Sequence, residues 1–205
     1  MTSAHRRRTR ITAAASLAAL ALLAGAWQQP TPGAPRAQLD FSVPQHFTTL
    51  ATDLSPDSGG VGTRLIEISI TRWSTDLERS SLMGVLAENG PDEMLTLLKK
   101  QKSVGRLQSS GSLGQDLQCS IQEPSRNGGR DIILLAGRVM DYSEVASMGR
   151  SISYPLLYIE MHLDAKGHGS GLLLPAAKVV LAGRLLVAES YNDLPIRLES
   201  VKRER

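Results

Sequence analysis

The chain has 205 residues, with 23 Lys and Arg against 20 Asp and Glu and a formal charge of +3. That length suits one ordinary domain. Its lone cysteine, Cys119, excludes an intrachain disulfide, so the fold must rest on packing.

The positive excess sits at one end. Arg6, Arg7, Arg8 and Arg10 come without an acid, an uncharged run fills 11–24, and Ala24-Gly25-Ala26 follows. A basic n-region, an apolar h-region and a small-x-small site in this order read as a signal peptide over residues 1–26. The apolar run is shorter than the roughly 20 residues a membrane-spanning helix needs. No integral span is therefore expected after cleavage, and the product belongs in the periplasm or outside the cell. The arginine pairs leave the Sec and twin-arginine routes both open. Cleavage leaves 19 basic and 20 acidic side chains, a net of −1. A nucleic-acid footprint needs basic charge clustered on the folded domain. The nearest cluster, Lys202-Arg203-Glu204-Arg205, is short and interrupted by an acid. Nucleic acid is rejected as a partner.

Residues 27–45 carry Pro30, Pro32, Pro35 and Pro44 and read as a flexible tether, which starts the domain at His46 and runs it to residue 205. Phe47–Leu54 is read as a strand, followed by an Asp57–Gly60 turn. Thr63–Trp73 gives the clearest strand, with Ile66, Ile68 and Ile70 on one face. The period changes at Trp73. Thr75 and Glu78 have capping-box spacing, and Leu77, Ser81, Leu82, Val85 and Leu86 repeat at helical intervals. Asn89-Gly90-Pro91 ends this helix and starts another, with Met94, Leu95, Leu97 and Leu98 as its buried stripe.

The remainder reads as strand. The segments are Val104–Gln108, Gln115–Glu123, Asp131–Ala136, Tyr154–Leu163, Gly169–Leu174, Lys178–Leu181, Leu185–Ser190 and Ile196–Val201, with Pro175 as an interruption and Tyr142–Met148 as a single helical turn. In Gln115–Glu123, Leu117, Cys119 and Ile121 alternate with Asp116, Gln118, Ser120 and Gln122, which makes the polar row solvent-facing and Cys119 a buried apolar residue. Asn127-Gly128-Gly129 marks a hairpin turn. The sum is an α+β fold: a largely antiparallel sheet of about nine strands, with one helical hairpin inserted after the second strand.

Glu160, His162 and Asp164 fall on one face of a strand, with His168 beyond the turn; these residue types suit zinc or a similar ion. A three-residue loop 165–167 puts His168 on their face, whereas a two-residue loop sends it to the other. The competing reading makes them the wet side of a strand whose apolar face is Leu157, Ile159, Met161 and Leu163. Gly167-His168-Gly169-Ser170-Gly171 has no helix behind it to hold a phosphate, so it is turn chemistry. Gly111-Ser112-Leu113-Gly114 lacks the glycine two residues before the serine that a nucleophile elbow needs. Trp73, at a strand-to-helix corner, is either a partner contact or a core-closing ring with its N–H bonded locally.

The segments Arg72-Trp73-Ser74-Thr75-Asp76-x-Glu78-Arg79, Val104-Gly105, Gly111-Ser112-Leu113-Gly114, Asp116-Leu117 and Tyr154-Pro155 leading into the Glu160–Gly171 hairpin resemble an uncharacterised family of small secreted bacterial proteins, often seen in acidobacteria. The resemblance spans about residues 46–202. It implies export and a single domain, and it carries no activity or catalytic residue with it.

The expectation is an exported domain without catalysis or cofactor, which binds a protein or cell-envelope partner through its sheet. The alternative is a periplasmic metal-binding protein or hydrolase centred on Glu160, His162, Asp164 and His168. A third reading, a lipid-binding barrel, requires a closed sheet around an apolar cavity. It fails if the interior is filled.

Overall fold

Side chains that alternate in polarity want one face wet and one dry, and the strands of the described residues satisfy that demand by curling around a common interior. The computed structural model describes residues 39–54, 62–109, 114–125, 128–138, 153–182, 185–191 and 194–204. Its elements are β1 (Gln45–Asp53), β2 (Gly62–Ile70), α1 (Asp76–Asn89), α2 (Pro91–Lys99), β3 (Gly105–Ser109), β4 (Gln115–Leu117), β5 (Cys119–Pro124), β6 (Arg130–Gly137), β7 (Leu156–Leu163), β8 (His168–Ala182), β9 (Leu185–Ser190) and β10 (Ile196–Glu204). The strands pair antiparallel in the order β4-β3-β2-β1-β10-β8-β7-β6-β5, with β9 added to β8. The α+β class, the antiparallel sheet and the helical hairpin after the second strand are as the periodicities indicate. Residues 1–26, read as a signal peptide, residues 27–38 of the segment read as a tether, the readings of 57–60 and 142–148 as turns, residues 111–113 and Asn127 lie outside the described residues.

The two ends of the strand order, β4 and β5, are separated in sequence by Gln118 alone. At that residue one extended segment changes neighbours. Leu117 O accepts from Val104 N on the β3 side (2.7 Å), and Gln118 N donates to Leu135 O on β6 (2.9 Å). The Gln118 side chain accepts from Gly137 N at 3.0 Å, and Gln115 Nε2 donates to Gly137 O at 2.8 Å. The sheet thus comes round on itself as a near-closed barrel. The switch also reverses faces, which corrects the alternation expected for 115–123. Leu117 points into the barrel, while Cys119 and Ile121 point out of it under the helices. Ser120 and Gln122, expected in solvent, are buried on the inside.

Two apolar clusters result. The inner one takes Phe47 from β1, Ile66, Ile68 and Ile70 from β2, Ile132 and Leu134 from β6, and Leu157, Ile159, Met161 and Leu163 from β7, with Leu198 and Val201 of β10 completing it. The outer one is the opposite face of β5–β8, where Ile121, Leu135, Leu156, Tyr158, Leu174 and Val179 meet Leu82 and Leu86 of α1 and Met94 and Leu98 of α2. Hence β6 and β7 are apolar on both faces where the helices cover them. Thr75 caps α1 in a full capping box with Glu78, as its spacing indicates. Leu77, read as part of the helix's buried stripe, is exposed instead.

Pro175 does not end a strand. β8 runs through it, and the ladder with β7 slips between Tyr158↔Leu174 and Leu156↔Ala177. A bulge is where a strand tolerates a residue without an N–H. Beyond it, β8 and β9 extend the wall as a two-stranded ribbon. Lower down, Gly169 and Gly171 lie where β8 meets β7: an added Cβ would stand 1.8 Å from His162 O and 2.2 Å from Glu160 O. The glycines of this hairpin are required by close backbone approach.

Gly169→Ala is therefore expected to lower the unfolding free energy by about 2–4 kcal/mol, through forced backbone displacement. Gly84→Ala on α1, where an added Cβ meets nothing within 4 Å, is expected to raise it by about 0.5–1 kcal/mol. Urea unfolding midpoints of the two variants check the pair.

Candidate functional site

The two ends of the barrel differ in chemistry. At one end lie the chain entering β1, the β5–β6 and β7–β8 hairpins and the corner between β2 and α1. At the other lie the ends of β1 and β3 and the starts of β7 and β10.

The first end is sealed by a polar floor. Arg130, Gln122 and Gln45 are buried inside the barrel. The Arg130 guanidinium donates to Gln122 Oε1 (3.1 Å), Gln45 Oε1 (2.9 Å) and the carbonyl of Asp40 (3.0 Å). That same carbonyl also accepts from Gln45 Nε2 (2.9 Å) and Gln122 Nε2 (3.0 Å). Burial pushes the Arg130 pKa down, opposed by the Asp40 carboxylate and assisted by the Arg203 charge. The Asp40 carboxylate reaches the Arg203 guanidinium and accepts from Ser42 N (2.8 Å). The last residues read as tether are thus pinned across the barrel end. Trp73 closes the same end. Its ring packs against the inner cluster and meets Phe41 edge-on at 6.3 Å. The local bond expected for its indole N–H is not made: Nε1 is buried without a partner among the described residues. The corner is fastened by Ser74 and Ser120, which exchange hydrogen bonds of 3.0–3.1 Å.

The second end is open. Ala51, Ile66, Leu107, Leu157, Leu173, Pro175 and Ile196 form a cup of about 540 Å³. Asp53, Arg64, Ser109 and Gln115 stand around it. Below the cup the barrel axis is occupied by the inner cluster, Phe47, Ile68, Ile132, Leu134, Ile159 and Leu198 among its members. An apolar floor under a polar rim is the usual make-up of a small-molecule pocket, and the volume lies within the roughly 300–1,000 Å³ such pockets have. In the ribbon beyond Pro175, Val179, Leu181, Leu186 and Ala188 pack in the outer cluster, so the alternating Lys178, Val180, Val187 and Glu189 face the other way.

The residues singled out for metal chemistry lie elsewhere, on the outer wall. The turn after β7 is the three-residue form, with Asp164 N donating to His168 O at 2.8 Å, so all four side chains share that wall. They do not converge. Asp164 Oδ1 accepts from Lys166 N (2.8 Å) and His168 N (2.9 Å), which holds its carboxyl below the usual range. His168 lies beside Lys202 of β10, in an open groove shared with His46 and Lys166. Glu160 and His162 do meet, His162 Nε2 standing 3.5 Å from Glu160 Oε1. Two further residues join them. Asp131 of β6 lies 3.0 Å from His162 Nδ1, and Tyr158 OH donates to Glu160 Oε2 at 2.9 Å. Burial and the neighbouring carboxylate push the Tyr158 pKa up, so the phenol stays a donor. Ser170 is opposite His162 across the β7–β8 pair, but the imidazole's two nitrogens face Asp131 and Glu160. Among the described residues no three His, Cys, Asp or Glu side chains form a metal-holding group. Cys119 is fully buried, and burial pushes its thiol up to about 11.

No family model, curated protein or solved structure matches this chain. Among the described residues, no helix is long and apolar enough to cross a membrane.

The floor generates an acid-stability test. Hydrogen bonding from Ser42, above all, and the Arg203 guanidinium hold the Asp40 carboxyl at about 2, against an ordinary value of 3.8. A depressed folded-state pKa contributes stability that is full above the unfolded value and is lost as pH falls through the folded one. Wild-type stability should therefore fall between about pH 4 and pH 2 more steeply than that of Asp40→Asn, measured by urea unfolding at each pH.

Proposed function

We propose that this chain is an exported, non-catalytic binding domain that holds an apolar group of a cell-envelope component in the open end of its barrel. The observation that carries the reading is the cup of Ala51, Ile66, Leu107, Leu157, Leu173 and Ile196 beneath a rim of Asp53, Arg64, Ser109 and Gln115. The walls are hydrocarbon, so what they give a ligand is removal of apolar surface from water, worth about 25 cal/mol per Å². The rim orients the ligand's polar end toward solvent. Because the barrel is packed below the cup, the reading is of a shallow seat for one apolar moiety. It does not require a lumen that swallows a whole lipid.

Export is supported by the basic, apolar and small-residue order of 1–26 and by the resemblance to small secreted bacterial proteins. The partner class follows from that address, since envelope components present acyl and other apolar groups to proteins outside the cytoplasm.

A fluorescent fatty acid is expected to bind with one site per chain. Ile196→Glu, which sets a charge in the half-buried wall of the cup, should weaken it by roughly tenfold or more, with unfolding curves showing that the variant remains folded. Equal affinity in wild type and variant would refute the cup as the seat.

A further inference from the structure

Glu160 and His162 form an arrangement that the cup does not use. Each has one polar atom engaged by an outer partner. Tyr158 OH donates to Glu160 Oε2, and Asp131 Oδ1 pairs with His162 Nδ1. The atoms left, Glu160 Oε1 and His162 Nε2, face each other at 3.5 Å. An imidazole that gives its Nδ1 proton to Asp131 shows a lone pair at Nε2. A lone pair and a carboxylate oxygen repel, so such a pair is held close by a positive species shared between them, either a proton or a metal cation.

The spacing suits a metal as well as it suits a proton. Two ligand atoms about 2.1 Å from a four-coordinate zinc ion stand about 3.4 Å apart. The outer partners are those that ligands need: a carboxylate on the far nitrogen of the histidine, and a donor on the second oxygen of the glutamate. The backbone holds this arrangement firmly. Glu160 and His162 are alternate residues of β7, Asp131 is fixed opposite His162 by the β6–β7 register, and the close approach of β8 at Gly169 and Gly171 braces the carbonyls of His162 and Glu160. The side chains of Glu160 and His162 are 28% and 51% exposed, so an ion can enter from solvent.

We propose that Glu160 Oε1 and His162 Nε2 form a two-ligand surface site for zinc or a similar borderline divalent cation, with Asp131 and Tyr158 as positioning residues. Water fills the other coordination positions. Two protein ligands make the site exchangeable, with a Kd on the order of 1–100 μM, far weaker than a four-ligand structural zinc.

The test is calorimetric titration of the untagged protein with zinc chloride near neutral pH, in a buffer that does not bind the metal. One equivalent should bind in the stated range. Glu160→Gln and His162→Ala should each lose at least tenfold in affinity, with thermal unfolding curves showing that both remain folded. His168→Ala, in the neighbouring groove, should bind as wild type does. Asp131→Asn should keep the stoichiometry and weaken binding by about 10–100-fold. In that variant, nitrogen NMR should show His162 losing its preference for the proton on Nδ1, a change that altered folding alone would not produce. Absence of saturable binding up to millimolar zinc would overturn the proposal, as would wild-type affinity in His162→Ala. So would NMR showing both His162 nitrogens protonated at neutral pH and unaltered by zinc, since the shared species would then be a proton.

Discussion

One extended segment, Gln115–Pro124, has to satisfy two neighbours that lie on opposite sides of it, and the rest of the molecule follows from how it does so. An open sheet of this many strands would leave two rows of unpaired N–H and C=O groups at its edges. Here both edges belong to the same stretch of chain. Its first half pairs with β3 and its second with β6, and the change of partner falls on Gln118, whose side chain bonds to Gly137 N in the gap. Closure then dictates burial. The inner face must be filled from every strand, and the outer face becomes available for a second layer. The helical hairpin is that layer, and it lies over β5–β8, with Leu186 and Ala188 of β9 joining the same cluster.

Much of this was legible from residue order. Ile66, Ile68 and Ile70 marked a strand face, Thr75 and Glu78 marked a helix start, and Asn89-Gly90-Pro91 marked the reversal between helices. These signals are local: the residues that make them also make the structure. The faces of Gln115–Pro124 were not legible. Leu117, Cys119 and Ile121 alternate without a break, and period two alone puts them together. Only the partner switch at Gln118, which depends on strands far away in sequence, sends Leu117 inward and Cys119 outward. The same switch turns Ser120 and Gln122 from an apparent solvent row into buried polar groups. They are tolerable inside because Arg130 and the Asp40 carbonyl bond Gln122, and Ser74 bonds Ser120. A buried amide without such partners would cost a few kcal/mol.

The polar group on the outer wall was half legible. Glu160 and His162 stood out because a glutamate and a histidine two apart on a strand share a face. Asp131 did not, since it is joined to His162 by ladder register across 31 residues of sequence. Asp164 and His168 belong to the same wall, but turn geometry claims Asp164 and β10 draws His168 into another groove. The cup left no signal in the sequence at all. Apart from Pro175 its wall is made of alanine, isoleucine and leucine, residue types that also pack the barrel below it. What makes them a cup is where the filling stops, and that depends on the length of each strand above the last large inward side chain.

The contrast between the two barrel ends has a physical basis. Phe47, Ile68 and Trp73 occupy the barrel toward the floor, and Arg130 is tied there to two glutamines and to the chain entering β1. A buried guanidinium is a poor source of net stability, because its desolvation consumes most of what its bonds return. Its directional donors do something that apolar packing cannot: they accept a single placement of the Asp40 carbonyl, and so fix where the chain enters the barrel. With that end set, the inward residues near the other end, Ala51 and Ile66 among them, need not meet across the axis for the sheet to keep its curvature. Closure at Gln118 holds the strands, the helices brace β5–β8 from outside, and the cup can stay open without the barrel collapsing into it.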